Sequence, residues 1–520
     1  MVIPTPQANT QLILGSSVTL TATSCTGTGF MIKWYQSSNN TLVAMPVSPP
    51  VTTNYYAICE QTANGVTCLS AKSNTLTLMV INRIFVDITK IAAPIQNGNS
   101  WVTAYGNLQT ALTAATANGE IWVAKGIYKP TATTNRTIYF EIPTNVKVYG
   151  GFLGTENALS DRNFITNIST LSGDIATQNV VADNTYHVVV FNSSSTTTVL
   201  DGFTITGGNA NTGIQPASPA PYTAPPSTTT LETGGGIVIQ NGGNPTIANC
   251  IIINNTAVFG GGLYAGNASV PTITACQFLE NQATFGSGLY LQNGSNGKVN
   301  NTLIAGNKGM GGVYNSYSNP IITNCTFSGN GGYNGGIFNS ASQPVVKNSI
   351  LWGNSEPFND TQSIIAYSIV QGGYAGMGNL NADPQFMSPT HFQAIPTTSD
   401  DYHLKATSLA INKGDNGSIS LIDKDLAGNL RRFAGERVDM GAYEFQGSGT
   451  LTLVISVVTG PWEASSTWDV GRVPQLGDYV IIQNNHVVTL STTGIAKNLE
   501  YRGTGSLKFN LVTSKLELGL

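Results

Sequence analysis

The sequence predicts an all-β chain wound mainly into a parallel β-helix, and three observations carry that expectation. Only 10% of the 520 residues are charged, against a usual level near ~25%. Glycine is unusually frequent, with 57 copies, yet 41% of residues are hydrophobic, so a core can form. Five aligned segments recur in the middle of the chain, each after a glycine-rich strand. The net charge is −4, no Lys/Arg-rich stretch occurs, and no apolar run is long enough to span a bilayer. Nucleic acid and membrane insertion are therefore not expected.

Residues 1–82 hold short alternating runs with turn signals between them, among them Met31-Ile32-Lys33-Trp34-Tyr35 and Tyr55-Tyr56-Ala57-Ile58-Cys59. A Trp nine residues after Cys25, followed by a Tyr/Cys strand, resembles the immunoglobulin-like modules of large secreted bacterial proteins. Three cysteines cannot all pair. A turn centred on Ala63-Asn64 favours Cys59–Cys68 over Cys25–Cys59. The module reads as a spacer.

Residues 84–445 carry the repeat. Its segments begin at Pro245, Pro271, Gly297, Pro320 and Pro344, spaced 26, 26, 23 and 24 residues apart. A unit this short cannot bury its own apolar face, but stacked units can, with like residues superposed about 4.8 Å apart. Ile247, Ile273, Val299, Ile322 and Val346 form one inward column, and Ile252, Phe278, Ile304, Phe327 and Leu351 another. Cys250, Cys276, Thr302, Cys325 and Ser349 hold a small inward position. Asn255, Asn281, Asn307, Asn330 and Asn354 occupy a corner, where stacked amides bond from coil to coil and Asn tolerates a left-handed backbone. A helix over about 107–117, with Leu108, Leu112 and Ala115 on one face, is expected to cover the first coil. Residues 209–233 read as a long loop. About ten coils would give a rod of roughly 50 Å.

Residues 119–128 (Gly-Glu-Ile-Trp-Val-Ala-Lys-Gly-Ile-Tyr), Tyr149-Gly150-Gly151-Phe152, Glu156 and Arg162 resemble the opening of bacterial right-handed β-helix proteins with polymorphic outer-membrane-protein repeats. Asp383-Pro384-Gln385-Phe386, Asp401-Tyr402-His403-Leu404 and Val438-Asp439-Met440-Gly441-Ala442-Tyr443-Glu444 resemble their choice-of-anchor Q ending, a C-terminal cap over about 380–445. The resemblance implies a right-handed parallel β-helix (a solenoid) in a large surface protein, commonly exported by type IX secretion in Bacteroidetes. It implies no single activity. Residues 447–520, with Trp462, Trp468 and the run 478–490, resemble a further β module of such proteins, read as a short solenoid or a sandwich. The first residues show no signal-peptide pattern and the last fall within an apparent strand, so both ends read as cuts in a longer polypeptide.

Catalysis has little to work with. Hydrolysis of a glycan wants two carboxylates at a set separation, and elimination wants a base beside a cation that neutralises a uronate. From Gly234 to Asn354 the only carboxylate is Glu280 and the only cations are Lys298, Lys308 and Lys347. Glu156, Asp161, Arg162, Asp174, Asp183 and Asp201 are candidates for one early charged face. Asp423, Asp425 and Asn429 have a spacing loosely like a calcium loop, with a capped turn as the bland reading. No other cofactor is expected, and none of the four histidines shows metal-ligand spacing. If Leu263, Leu289, Val313 and Ile337 point inward, Tyr264, Tyr290, Tyr314 and Phe338 form an outward aromatic column suited to a sugar chain. The opposite facing would put these rings in the core. The expected function is a non-catalytic, extracellular adhesin or filament segment, partnered by its own copies or by cell-surface glycans. A glycan-binding module or a polysaccharide lyase or hydrolase is the alternative.

Overall fold

The computed structural model describes residues 3–13, 17–25, 29–63, 66–211, 231–358, 362–389, 391, 400–419, 423–431, 437–446, 452–475, 478–496, 498–511 and 513–518. Most of the expected loop 209–233 lies outside them. The chain divides into two compact units, one of residues 1–130, 140–171 and 191–203, the other of residues 131–139, 172–190 and 204–520.

The first unit opens with a β module whose central strand, Thr53–Ala63, pairs antiparallel with Phe30–Gln36, Leu76–Ile81 and Val66–Leu69. Alternation along these strands buries Trp34, Tyr55, Ala57, Leu76 and Leu78 together. The expected Cys59–Cys68 bridge is not formed. Cys25 and Cys59 are joined instead, their Cα atoms 5.8 Å apart, and Cys68 is free and exposed. The register Ala63↔Val66 centres the hairpin one residue later than the sequence suggested. Ser70, not Cys68, therefore faces Cys59, each exchanging a bond with the other.

From Arg83 the same unit turns parallel. Strands Arg83–Val86, Glu120–Ala124, Lys147–Phe152 and Val199–Asp201 lie side by side in that order. The helix is shorter than expected, Leu108–Ala114, because Ala115 already has an extended backbone. Asn107 caps it by accepting the Gln109 N–H, and Leu108, Ala111 and Leu112 are its buried residues. Trp101, Trp122, Tyr149 and Phe152 gather on the outer side of these strands as a second small core.

In the second unit the repeat folds as a right-handed parallel β-helix. One face stacks Thr246–Ala248, Thr272–Thr274, Lys298–Asn300, Ile321–Thr323, Val345–Lys347 and Ile364–Ala366. The next runs from Ile251–Ile253 through Gln277–Leu279, Leu303–Ala305 and Thr326–Ser328 to Ile350–Leu351 and Ile369–Val370. A third runs from Ile237–Gln240 to Ile337–Ser340. The registers Ile247↔Ile273↔Val299↔Ile322↔Val346 and Ile252↔Phe278↔Ile304↔Phe327↔Leu351 are the two apolar columns, and all ten side chains are buried. A fourth, short face not read from the sequence comprises Asn209–Ala210, Thr256–Phe259, Gln282–Phe285 and Lys308–Met310.

The expected C-terminal cap is not an end lid. Phe386, Tyr402, Leu404, Ala410 and Met440 pack on Leu303, Ala305, Ile350 and Ile369, the outward residues of the second face. Asn301, Thr326 and Asn348 bond this segment along the flank of three coils. The last coil is continued by residues 371–381, where Leu380 bridges to Ile369. Residues 452–518 form a second parallel solenoid. Its sheets are Thr452–Ile455, Asp478–Ile482 and Asn498–Tyr501, then Gly460–Pro461, Val487–Leu490 and Ser506–Phe509, then Thr493–Ala496 and Lys515–Leu518. Trp462 and Trp468 fill its core beside Val480 and Val488.

Candidate functional site

Coils pass to the third face through a residue with a left-handed backbone, glycine at Gly260 (φ +68°) and Gly286 (φ +62°) and asparagine at Asn334 (φ +49°). That turn sets the facing of the third-face strand. Leu263, Leu289, Val313 and Ile337 point inward and are fully buried. Tyr264, Tyr290, Tyr314 and Phe338 therefore stand outside the lumen, stacked in order with centroids 5.9, 5.0 and 4.7 Å apart.

The column is not the open stripe expected from the sequence. Phe259 and Phe285, stacked on each other at 5.4 Å, fold over it from the short face. Tyr264 and Tyr290 are left only 7% and 4% exposed, while Tyr314 and Phe338 are half-buried. Alternation along the strand predicted the side correctly but not the extra strand that covers it. The Tyr264 hydroxyl donates to Gln292 Oε1 at 2.8 Å. Burial pushes the Tyr264 phenol up to about 12 and raises Tyr290 as well.

Beside the column runs a groove of about 450 Å³, bordered by Thr256, Gln282, Thr284, Lys308 and Tyr333, with Ala257, Ala283 and Gly309 between them. Tyr333, 63% exposed, extends the aromatic series, its ring 6.3 Å from that of Phe338. Amides, hydroxyls, one ammonium and an open aromatic face are the groups that hold a sugar. Glu280 lies in the field of Lys308; burial raises its carboxyl, Asp400 adds to the rise and Lys308 opposes it. Tyr333 escaped the sequence reading because it sits in the irregular glycine run between repeats.

Apart from Asp174 and Asp183, the other expected sites are spent on structure. Glu156 accepts the N–H groups of Leu153, Gly154 and Thr155; burial works against its charge, but these donors outweigh it and lower the carboxyl. Asp161 closes its own turn on Ala158, and Arg162 pairs with Asp201 at 2.9 Å. Asp423, Asp425 and Asn429 do not present a calcium loop. Asp425 takes the Asn429 and Glu444 N–H groups on its two oxygens, and Asp423 uses its backbone carbonyl to accept the Arg431 N–H. Arg431 is fully buried, bonded to the Gly441 and Ala442 carbonyls and 3.7 Å from Glu444. Asp401 holds the His403 ring at 2.6 Å, against Tyr443. Among the described residues no three His, Cys, Asp or Glu side chains gather to hold a metal, and no helix is long and apolar enough to cross a membrane.

The five corner asparagines form a buried ladder. Each amide nitrogen from Asn255 to Asn330 donates to the next amide oxygen, at 3.1, 3.0, 2.9 and 2.9 Å. Their backbones are not left-handed, as the sequence reading supposed; the preceding residues Asn254, Glu280, Gly306, Gly329 and Gly353 take that role.

The family described as "right handed beta helix region" matches residues 227–373. The matched stretch is a right-handed β-helix. No curated protein matches the chain. Among solved structures, the crystal structure of pectate lyase Pel9A is similar with a TM-score of 0.39 and 14% identity, over 70% of this chain and 97% of that one.

Proposed function

We infer that this chain is a structural and adhesive element of an extracellular cell-surface protein, and that it is not a catalyst. One observation carries the reading. The coils between Gly234 and Asn354 contain a single carboxylate, Glu280, and three lysines, Lys298, Lys308 and Lys347, their other polar side chains being amides and hydroxyls. Neither acid–base pair chemistry nor uronate elimination can be assembled from such a set. The likeness of residues 383–444 to choice-of-anchor Q endings, and of residues 1–82 to immunoglobulin-like spacers, supports the same surface role, with type IX export and self-association as its corollaries.

The groove gives a second reading a specific footing: the β-helix holds an extended glycan against Tyr333, Gln282 and Lys308. A glycan array probed with the wild type and Tyr333→Ala tests it, with bound glycans expected to lose at least tenfold in affinity in the variant. Unchanged binding removes the groove. Incubation with polyuronates and calcium should yield no unsaturated product, and sustained product formation would replace the adhesive reading with a lyase.

A further inference from the structure

We propose that the loop of residues 174–184 is a calcium site, held by Asp174, Asp183 and Asn184. The loop is closed at its neck by the Thr185 N–H donating to the Gly173 carbonyl at 2.9 Å, which sets Asp174 and Asn184 opposite one another. Both also flank Gly207, where a Cβ would lie 3.1 Å from the Asp174 nitrogen and 3.5 Å from Asn184 Nδ2. Asp174 Oδ2 accepts the Asn179 N–H at 3.1 Å, and Asp183 Oδ2 accepts the Thr177 N–H at 3.0 Å. Each carboxylate is thus turned into the loop by one oxygen.

The second oxygen of each is the telling one. Asp174 Oδ1 and Asp183 Oδ1 are buried without a hydrogen-bond partner, and so is Asn184 Oδ1, on a side chain only 6% exposed. Residues 172–186 contain no Lys, Arg or His, and neither carboxylate has an ion-pair partner among the described residues. Three oxygens buried without a hydrogen-bond partner, two of them on carboxylates, cost desolvation free energy that a bound cation would offset. The donors are all hard oxygens, with no imidazole or thiolate, which selects calcium over zinc, and an amide oxygen among them suits calcium better than magnesium. Water would complete the shell. The Arg136 Nε donating to the Asn184 carbonyl and Asn209 Nδ2 donating to the Val181 carbonyl hold the loop on the coil from outside.

The test is calorimetric titration of the full chain, stripped with EDTA, by calcium chloride. One calcium should bind and raise the unfolding temperature, while Asp174→Asn and Asp183→Asn each weaken binding at least tenfold and Asp423→Asn leaves it unchanged. Should the loop variants fail to fold, hydrogen exchange of the wild type with and without calcium reads the same loop, and slower exchange over 174–184 is expected. No calcium uptake, uptake unaffected by the loop variants, loss in Asp423→Asn, or exchange in the loop that ignores calcium would each overturn the site.

Discussion

Asn307 shows how much one polar side chain carries inside the solenoid. Its Nδ2 donates to the Phe278 carbonyl at 2.8 Å, the Ala305 carbonyl at 3.2 Å and Asn330 Oδ1 at 2.9 Å. Its Oδ1 accepts both the backbone and the amide N–H of Asn281, each at 3.0 Å. Asn307 is fully buried, so Asn307→Ala leaves several groups unpaired at about 1–3 kcal/mol apiece before relaxation. A loss of at least ~3 kcal/mol in denaturant stability is expected, and a loss below ~1 kcal/mol would show that the ladder adds little. The five asparagines were legible from sequence spacing alone. Their neighbours were not: that the residue before each Asn takes the left-handed turn depends on how the corner is cut, which periodicity does not encode. The cysteine position is simpler, since Cys250, Cys276, Thr302, Cys325 and Ser349 all donate to the carbonyl two residues back. Sulfur and hydroxyl interchange there because both are small, buried donors.

At the scale of the element, the glycine runs have a steric cause. A Cβ on Gly236 would approach the Gly262 carbonyl oxygen to 2.5 Å, one on Gly262 the Gly288 oxygen to 2.6 Å, and one on Gly288 the Gly312 oxygen to 2.6 Å. These glycines are stacked so closely that each forbids a side chain on the one below. Gly288→Ala must therefore spread two coils, at a cost of about 1–3 kcal/mol, read as a lower denaturation midpoint. Equal stability of the variant would mean that the coils are not held at this spacing. The columns and faces were legible because apolar residues recur at a fixed offset. The short fourth face was missed because Thr256–Phe259 directly follows the aligned segment, where its Phe259 looks like one more apolar residue. That omission is why the aromatic column was expected in the open. The flank packing was not read from the sequence because nothing in the repeat says what covers its outward residues: Leu303 and Ile350, beside the inward Ile304 and Leu351, pack on Phe386 and Met440.

For the molecule as a whole, the buried charges around Arg431 tie stability to pH. Burial, with the negative charge of Asp439, pushes Glu444 up to about 9, with Arg431 only partly offsetting it. Burial likewise raises Asp439 to about 6 against the donors Phe445 N–H and Asn412 N–H. Both folded values exceed those of the unfolded chain, so the folded state binds the extra protons between them. The stability from these protons is fully present below the unfolded carboxyl range, near pH ~4, and is lost as pH rises through about 6 and then about 9. Each proton contributes a slope of at most about 1.4 kcal/mol per pH unit. Urea midpoints should accordingly fall from about pH 5 to about pH 9, and Glu444→Gln, which keeps the shape and cannot ionise, should flatten the fall above about pH 6. Lowered Arg431 basicity has the same origin, burial, yet the guanidinium keeps its charge because carbonyls of Gly441 and Ala442 accept from it. Arg431 Nε also donates to Asn301 Oδ1 of a coil at 3.0 Å, so this cation, amid Glu444, Asp425 and Asp439, fastens the flank segment to the coils. A wild-type midpoint that stays level across this range, in a chain whose Glu444→Gln variant is equally stable, would mean that Glu444 is ionised in the fold and that Arg431 alone balances it.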